Sequence, residues 1–198
     1  MQENSVSAGG STHKLDQPFF VLATQNPIEM EGTYPLPEAQ MDRFLYKLRL
    51  DFPEASDLLT IVERTTQQDD LTASHVLGKT EILEMRETAR AVPVAQPVMQ
   101  YAIAITLATH PESSEGHGLA KKYVRFGASP RGVQSLILGA KVNALLNDRF
   151  YVSANDIKAV ALPALRHRVL INFEAEAEKV DPDHILEEIV RVVELPKS

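Results

Sequence analysis

The chain has 198 residues, enough to bury one core or one domain with part of a second. A hydrophobic content of 44% with 24% charged residues is that of an ordinary globular protein, and no window approaches the roughly 18 apolar residues of a membrane span. A formal net charge of −7 argues against a nucleic-acid binder, and the absence of cysteine removes disulfides and thiolate metal sites. The start, Met1-Gln2-Glu3-Asn4-Ser5, has neither the basic nor the apolar part of a signal peptide, so a reducing, cytoplasmic setting is expected.

Up to about Pro53 the pattern is strand-like. Ser5-Val6-Ser7-Ala8 and Ser11-Thr12-His13-Lys14-Leu15 flank Gly9-Gly10, which predicts a β-hairpin because glycine reaches positive φ without strain. Phe19-Phe20-Val21-Leu22-Ala23-Thr24 is an apolar run too short for a helix and predicts a strand buried on both faces, stopped by Asn26-Pro27. Pro37 opens two predicted helical turns that run to Phe44, and residues 45–52 alternate imperfectly, as a further strand would.

Beyond Pro53 the spacing turns helical. Leu58, Leu59, Ile61 and Val62 predict a helix over 55–66, and further helices are expected over 81–91 and 97–109, separated at Pro93. Residues 110–127 read as a polar, glycine-containing loop. Ser129-Pro130 supplies a cap and a first helical position for a long helix to about Leu146. Ser153-Ala154-Asn155-Asp156 caps another to about Leu165, and Asp181-Pro182 opens the last, to about Glu194. Arg166-His167-Arg168 reads as a solvated helix end, and Glu174-Ala175-Glu176-Ala177-Glu178 as an acidic linker or helix start.

Three segments in order carry more than architecture. Phe19 to Pro27 is an apolar run into Ala23-Thr24-Gln25-Asn26-Pro27. Seventeen residues after Asn26 comes Arg43, within Leu36-Pro37-Glu38-Ala39-Gln40-Met41-Asp42-Arg43-Phe44. Gly127-Ala128-Ser129-Pro130-Arg131-Gly132 then sets an arginine at the start of a helix. Together they closely resemble the MoxR family of AAA+ ATPases, over essentially the whole chain. The resemblance implies a mainly α protein: an incomplete AAA+ α/β nucleotide-binding domain over 1–53, with hairpin and sensor strand, followed by a helical lid domain over 54–198.

The same resemblance implies roles. Asn26 is the sensor 1 residue, whose amide orients the attacking water at the end of a strand. Arg43 is the arginine finger that reaches a neighbouring subunit's nucleotide. Arg131 is sensor 2, a lid arginine on phosphate, and all three contact ATP. On residues alone other readings stay open: a strand-ending Asn-Pro turn for Asn26, a helix-end arginine complementing the dipole or pairing with Asp42 or Glu38 for Arg43, a solvated first-turn side chain for Arg131. The Gly9-Gly10 hairpin resembles the insertion that faces client and pore in this branch.

A complete member also carries a phosphate loop, G-x-x-x-x-G-K-S/T, and an Asp-Glu strand that holds Mg²⁺. Both would lie before Met1, so the expectation is a truncated chain, or a product begun at an internal methionine, that is inactive alone. Ala73-Ser74-His75-Val76-Leu77-Gly78-Lys79-Thr80 imitates the loop loosely, but Gln67-Gln68-Asp69-Asp70 before it cannot be the buried strand a phosphate cradle needs. The expected function is thus that of a part of an ATP-hydrolysing, Mg²⁺-dependent homo-oligomeric ring, hexameric, which remodels or matures client proteins, among them proteins with von Willebrand factor A domains. The alternative is a helical module that binds partners without nucleotide.

Overall fold

The computed structural model describes residues 5–25, 36–66 and 73–196. The hairpin forms as expected: β1 (Ser5–Ala8) and β2 (Ser11–Lys14) pair antiparallel, Ser5 opposite Lys14, around Gly9 at φ 59° and Gly10 at φ 79°. Positive φ at both turn residues is what a two-residue primed turn requires.

The next two predicted strands are not there. Residues 19–24 have no strand conformation, and Phe20 and Leu22 are 83% and 82% exposed. An apolar strand needs hydrogen-bonding neighbours and covered faces. Among the described residues β1 and β2 pair only with each other, and no strand lies beside 19–24. Asn26 lies outside the described residues, and so do residues 67–72 ahead of the loose loop motif.

Residues 45–52 are likewise extended chain without β partners, because their backbone is bonded to helices instead. The Lys47 N–H donates to the Pro163 carbonyl at 2.9 Å, and the Arg166 guanidinium donates to the Lys47 carbonyl at 3.1 Å. The Tyr46 ring lies on a glycine: a Cβ added to Gly139 would fall 1.6 Å from its hydroxyl. Arg49 forks onto Asp181 at 2.6 and 2.9 Å and also meets Asp183, which pairs with Arg166. The helix before this segment is shorter than expected: α1 is one turn, Glu38–Met41, ended by Asp42.

The rest is helical, as the caps and periodicity predict. In order come α2 (Ala55–Thr66), α3 (Lys79–Ala91), α4 (Gln96–Ala108), α5 (Gly118–Tyr123), β3 (Val124–Phe126), α6 (Pro130–Leu146), α7 (Ala154–Leu165), β4 (Leu170–Ile171), α8 (Phe173–Ala177) and α9 (Pro182–Val192). α5 and β3 fall in what reads as a polar loop. β3 pairs antiparallel with β4 across an irregularity. Neither strand exceeds three residues, too short for a periodicity to register.

The core lies where α6 and α7 pack against α4 and α9. Tyr101, Ile105, Leu136, Ile157, Leu165 and Ile185 are all at most 1% exposed. Small residues allow the close approach. A Cβ on Gly132 would meet Leu165 at 3.0 Å and Ala128 at 3.2 Å. Among the described residues no single helix is long and apolar enough to cross a membrane. α3 and α4 would qualify only as a pair bent by 95°, and α4 has Tyr101, Ala102 and Ile105 in the core.

Candidate functional site

The three-residue run Ser129-Pro130-Arg131 and the segment after α1 meet at one carboxylate. The loop 127–129 is set by the end of α4. There the Thr109 hydroxyl accepts from the Ala128 N–H at 2.9 Å, and the His110 Nε2–H donates to the Ala128 carbonyl at 2.9 Å. Gly127 must be glycine for this, since a Cβ would sit 2.7 Å from the His110 ring. Ser129 is thereby placed as the cap of α6, accepting from the Arg131 N–H at 3.2 Å, and Pro130 takes the first helical position.

Asp42 receives what this loop and α7 present. The Ser129 hydroxyl donates to Oδ1 at 2.7 Å, Arg131 Nη1 donates to Oδ2 at 2.9 Å, and Arg168 Nε donates to Oδ1 at 3.1 Å. Burial pushes the Asp42 carboxyl up. The hydrogen bonds from Ser129 and Arg131 and the charges of Arg168 and Arg131 outweigh it, and the group sits below the ordinary carboxylate value. It is an anion with two guanidinium partners.

Arg43 is the next residue and takes no part in these bonds. It is exposed, and the described residues give it no ion pair, because Asp42 is committed to Arg131 and Arg168. Pairing with Asp42 is therefore not its role. Arg131 is half-buried, with a side chain 38% exposed; one Nη is on Asp42 and its remaining donors have no hydrogen bond to the described residues. It is tethered rather than solvated.

Arg168 and His167 correct the reading of a solvated helix end: they are 6% and 5% exposed. The missed signal is helical spacing. Ile157, Ala161, Ala164 and Arg168 recur every three or four residues, so Arg168 continues the buried stripe of α7 past its end. His167 donates from Nε2 to the Phe44 carbonyl at 3.1 Å, which makes it the neutral Nε2–H tautomer, and its Nδ1 has no partner among the described residues.

Burial first, then the charges of Arg168 and Lys47, lower the His167 pKa from 6.5 to about 4, against the opposing pull of the Phe44 carbonyl and Asp42. The unfolded chain would thus take a proton near pH 6.5 that the folded one refuses until about 4. This part of the stability is whole above pH 6.5 and is lost as pH falls toward 4. The melting temperature should fall between pH 6.5 and 5, and His167→Gln should flatten that slope. An unchanged slope in the variant would assign the titration elsewhere.

Potential metal ligands are scattered among the described residues. None of their His, Asp or Glu side chains form a group of three that could hold a metal. The open cavity beside Asp42 is lined by Glu38, Asp42, Phe126, Ser129, His167 and Arg168, and the Asp42 charge there is already answered by the Arg168 guanidinium. The loose phosphate-loop motif does not build a cradle either. Residues 73–78 have no strand conformation, Gly78 caps α3, and the Glu81 carboxylate stands 2.6 Å from where a Gly78 Cβ would be.

Known proteins match both halves of this arrangement. Residues 1–46 match the ATPase family associated with various cellular activities, and residues 117–189 match the AAA lid domain. The chain is 37% identical over 200 residues to chaperone MoxR1 of Mycobacterium tuberculosis, an alignment that covers 100% of this chain and 52% of that protein. The chain belongs to the MoxR family of AAA+ ATPases. Protein MoxR of Paracoccus denitrificans is a more distant relative, 28% identical over 195 residues, 92% of this chain and 57% of that one. A solved candidate ATPase from Cytophaga hutchinsonii superposes with a TM-score of 0.89 at 39% identity, over 99% of this chain and 60% of its own. The MoxR-type chain thus spans a little over half the length of these relatives, as a partial AAA+ domain followed by a helical lid.

Proposed function

We propose that this chain supplies the sensing and lid part of a ring-forming, ATP-hydrolysing MoxR-type motor. Residues 1–53 belong to the α/β core and 54–198 to the lid. Asn26 acts as sensor 1, Arg43 as the finger on the neighbour's γ-phosphate, and Arg131 as sensor 2. ATP and Mg²⁺ are held by the region that the longer relatives have and this sequence lacks. The observation that carries the reading is the contrast at consecutive residues. Asp42 is bonded to Ser129 and Arg131 of the lid, whereas Arg43 beside it is an exposed guanidinium with no ion pair among the described residues. A cation presented on a pinned backbone suits a phosphate that arrives from another subunit.

The ring is a homo-oligomer, hexameric, working in the cytoplasm on client proteins in the manner of a chaperone, with von Willebrand factor A domain proteins the client class. Exposed Phe20, Leu22, Leu50 and Phe52 fit a surface covered by the rest of an α/β core. The chain by itself should neither hydrolyse ATP nor bind it tighter than about 1 mM, since sensors add only part of the binding energy. Titration calorimetry giving micromolar affinity for the chain would overturn this division of labour.

A further inference from the structure

We propose that Arg168 is a positioning residue for Arg43: it locks the backbone on both sides of the finger to α7, so that finger and lid move as one body. This rests on the finger reading of Arg43.

A guanidinium has five N–H donors, and Arg168 spends every one. Nε donates to Asp42 Oδ1 at 3.1 Å, Nη2 to the Asp42 and Phe44 carbonyls at 3.0 and 2.6 Å, and Nη1 to the Leu45 carbonyl at 3.3 Å and to the Ala164 carbonyl. Three of these carbonyls belong to residues 42, 44 and 45, which bracket Arg43. His167 adds a second donor to the Phe44 carbonyl. With no donor left and a side chain 2% exposed, Arg168 cannot itself bind phosphate. Its work is on the chain around residue 43.

The Ala164 bond ties the same guanidinium to the last turn of α7, and Asp42 extends the tie to the start of α6 through Ser129 and Arg131. Arg131 therefore has two possible partners: Asp42 and, under the sensor 2 reading, a phosphate. Any tilt of the lid that follows nucleotide at Arg131 must carry Arg43 with it, because no bond in the set lets the two slip. The lid of one subunit would then set how well its finger meets the next subunit's phosphate. A displacement of about 1 Å can cost about 10²-fold in rate.

Lysine keeps the charge but cannot reproduce the planar fork, so Arg168→Lys is the test. In the assembled ATPase we expect kcat to fall about 10–100-fold with the KM for ATP little changed. The loss should lie in the neighbour's site. Blending Arg168→Lys subunits with subunits defective in the phosphate loop should restore part of the activity, as the parallel blend with Arg43→Ala should. Recovery with Arg43→Ala but not with Arg168→Lys overturns the positioning role and leaves the finger standing. Recovery with neither overturns both. Hydrogen exchange on the chain gives a second reading that needs no activity. Protection of the amides around 43–47 should be lost while that of Ile185 and Ile189 is kept. Loss throughout would mean a fold defect only and would overturn the proposal for that variant, in which case Asp42→Asn is judged by the same two measurements and decides.

Discussion

Arg43→Ala, in the assembled ATPase that contains this chain, is expected to lower kcat by about 10³–10⁴ while ATP affinity stays within a few-fold. The size follows from where the guanidinium acts. Charge builds on the transferring phosphoryl group in the transition state, and a cation that meets it only there lowers the barrier without tightening ground-state binding. The substitution is also clean. Arg43 is exposed and has no ion pair among the described residues, so truncating it should change stability by no more than about 0.5 kcal/mol. A fall in activity with an unmoved melting temperature is therefore the expected pair of results. Asn26→Ala should cost less, about 10²–10³, because a neutral donor is weaker than a cation. Blending Arg43→Ala rings with phosphate-loop mutants separates action in trans from action in cis, since only trans action leaves one competent junction. Co-assembly without recovery would remove the finger assignment.

What could be read from the sequence divides along the range of the interactions. The hairpin and the helices that start at Ser129-Pro130, Ser153 and Asp181-Pro182 were legible because turns and caps are local chemistry. The runs 19–24 and 45–52 have strand composition, but a strand exists only with partners. The second run donates to the Pro163 carbonyl and accepts from Arg166 and Arg168 instead. That choice is made by residues more than a hundred positions away and leaves no mark on the local pattern.

The site was legible in its motifs and not in its wiring. Asp42, Arg43, Ser129 and Arg131 all stand in segments whose resemblance to the MoxR family is plain. That Asp42 is the common acceptor follows only from folding, and the burial of Arg168 departs from the rule that basic residues after a helix face water. Helical phase outranked charge there. Five acceptors arranged around one guanidinium offset the desolvation that would otherwise forbid burying it.

Asp156→Ala should be strongly destabilising in the helical part, by about 3 kcal/mol. Its side chain is 1% exposed and accepts five hydrogen bonds, one from Asn143 of α6, two from Arg149 in the connection and two from Ser153 at the start of α7. Arg149 forks onto it at 2.7 and 2.5 Å, Asn143 Nδ2 donates at 2.8 Å, and Ser153 donates its N–H at 2.8 Å and its hydroxyl at 2.7 Å. Alanine would leave the Arg149 guanidinium to water, uncap the first turn of α7 and leave Asn143 without its acceptor. For a chain of this length about 2–4 °C per kcal/mol implies a fall of roughly 10 °C in melting temperature. Ser153→Ala, which removes one hydroxyl and leaves the Arg149 fork, should cost only about 1 kcal/mol. The pH dependence identifies the cause. The Arg149 fork, with Ser153 and Asn143, outweighs burial and holds the Asp156 carboxyl well below the usual carboxylate range. A depressed pKa gives stability that is whole above the unfolded value near 4 and is lost as pH drops below it. The gap between wild type and Asp156→Ala should therefore be constant from pH 8 to 5 and narrow progressively below about 4, a lower window than that of His167. A gap as wide at pH 2.5 as at pH 5 would mean that packing, and not the ion pair, is what the carboxylate supplies.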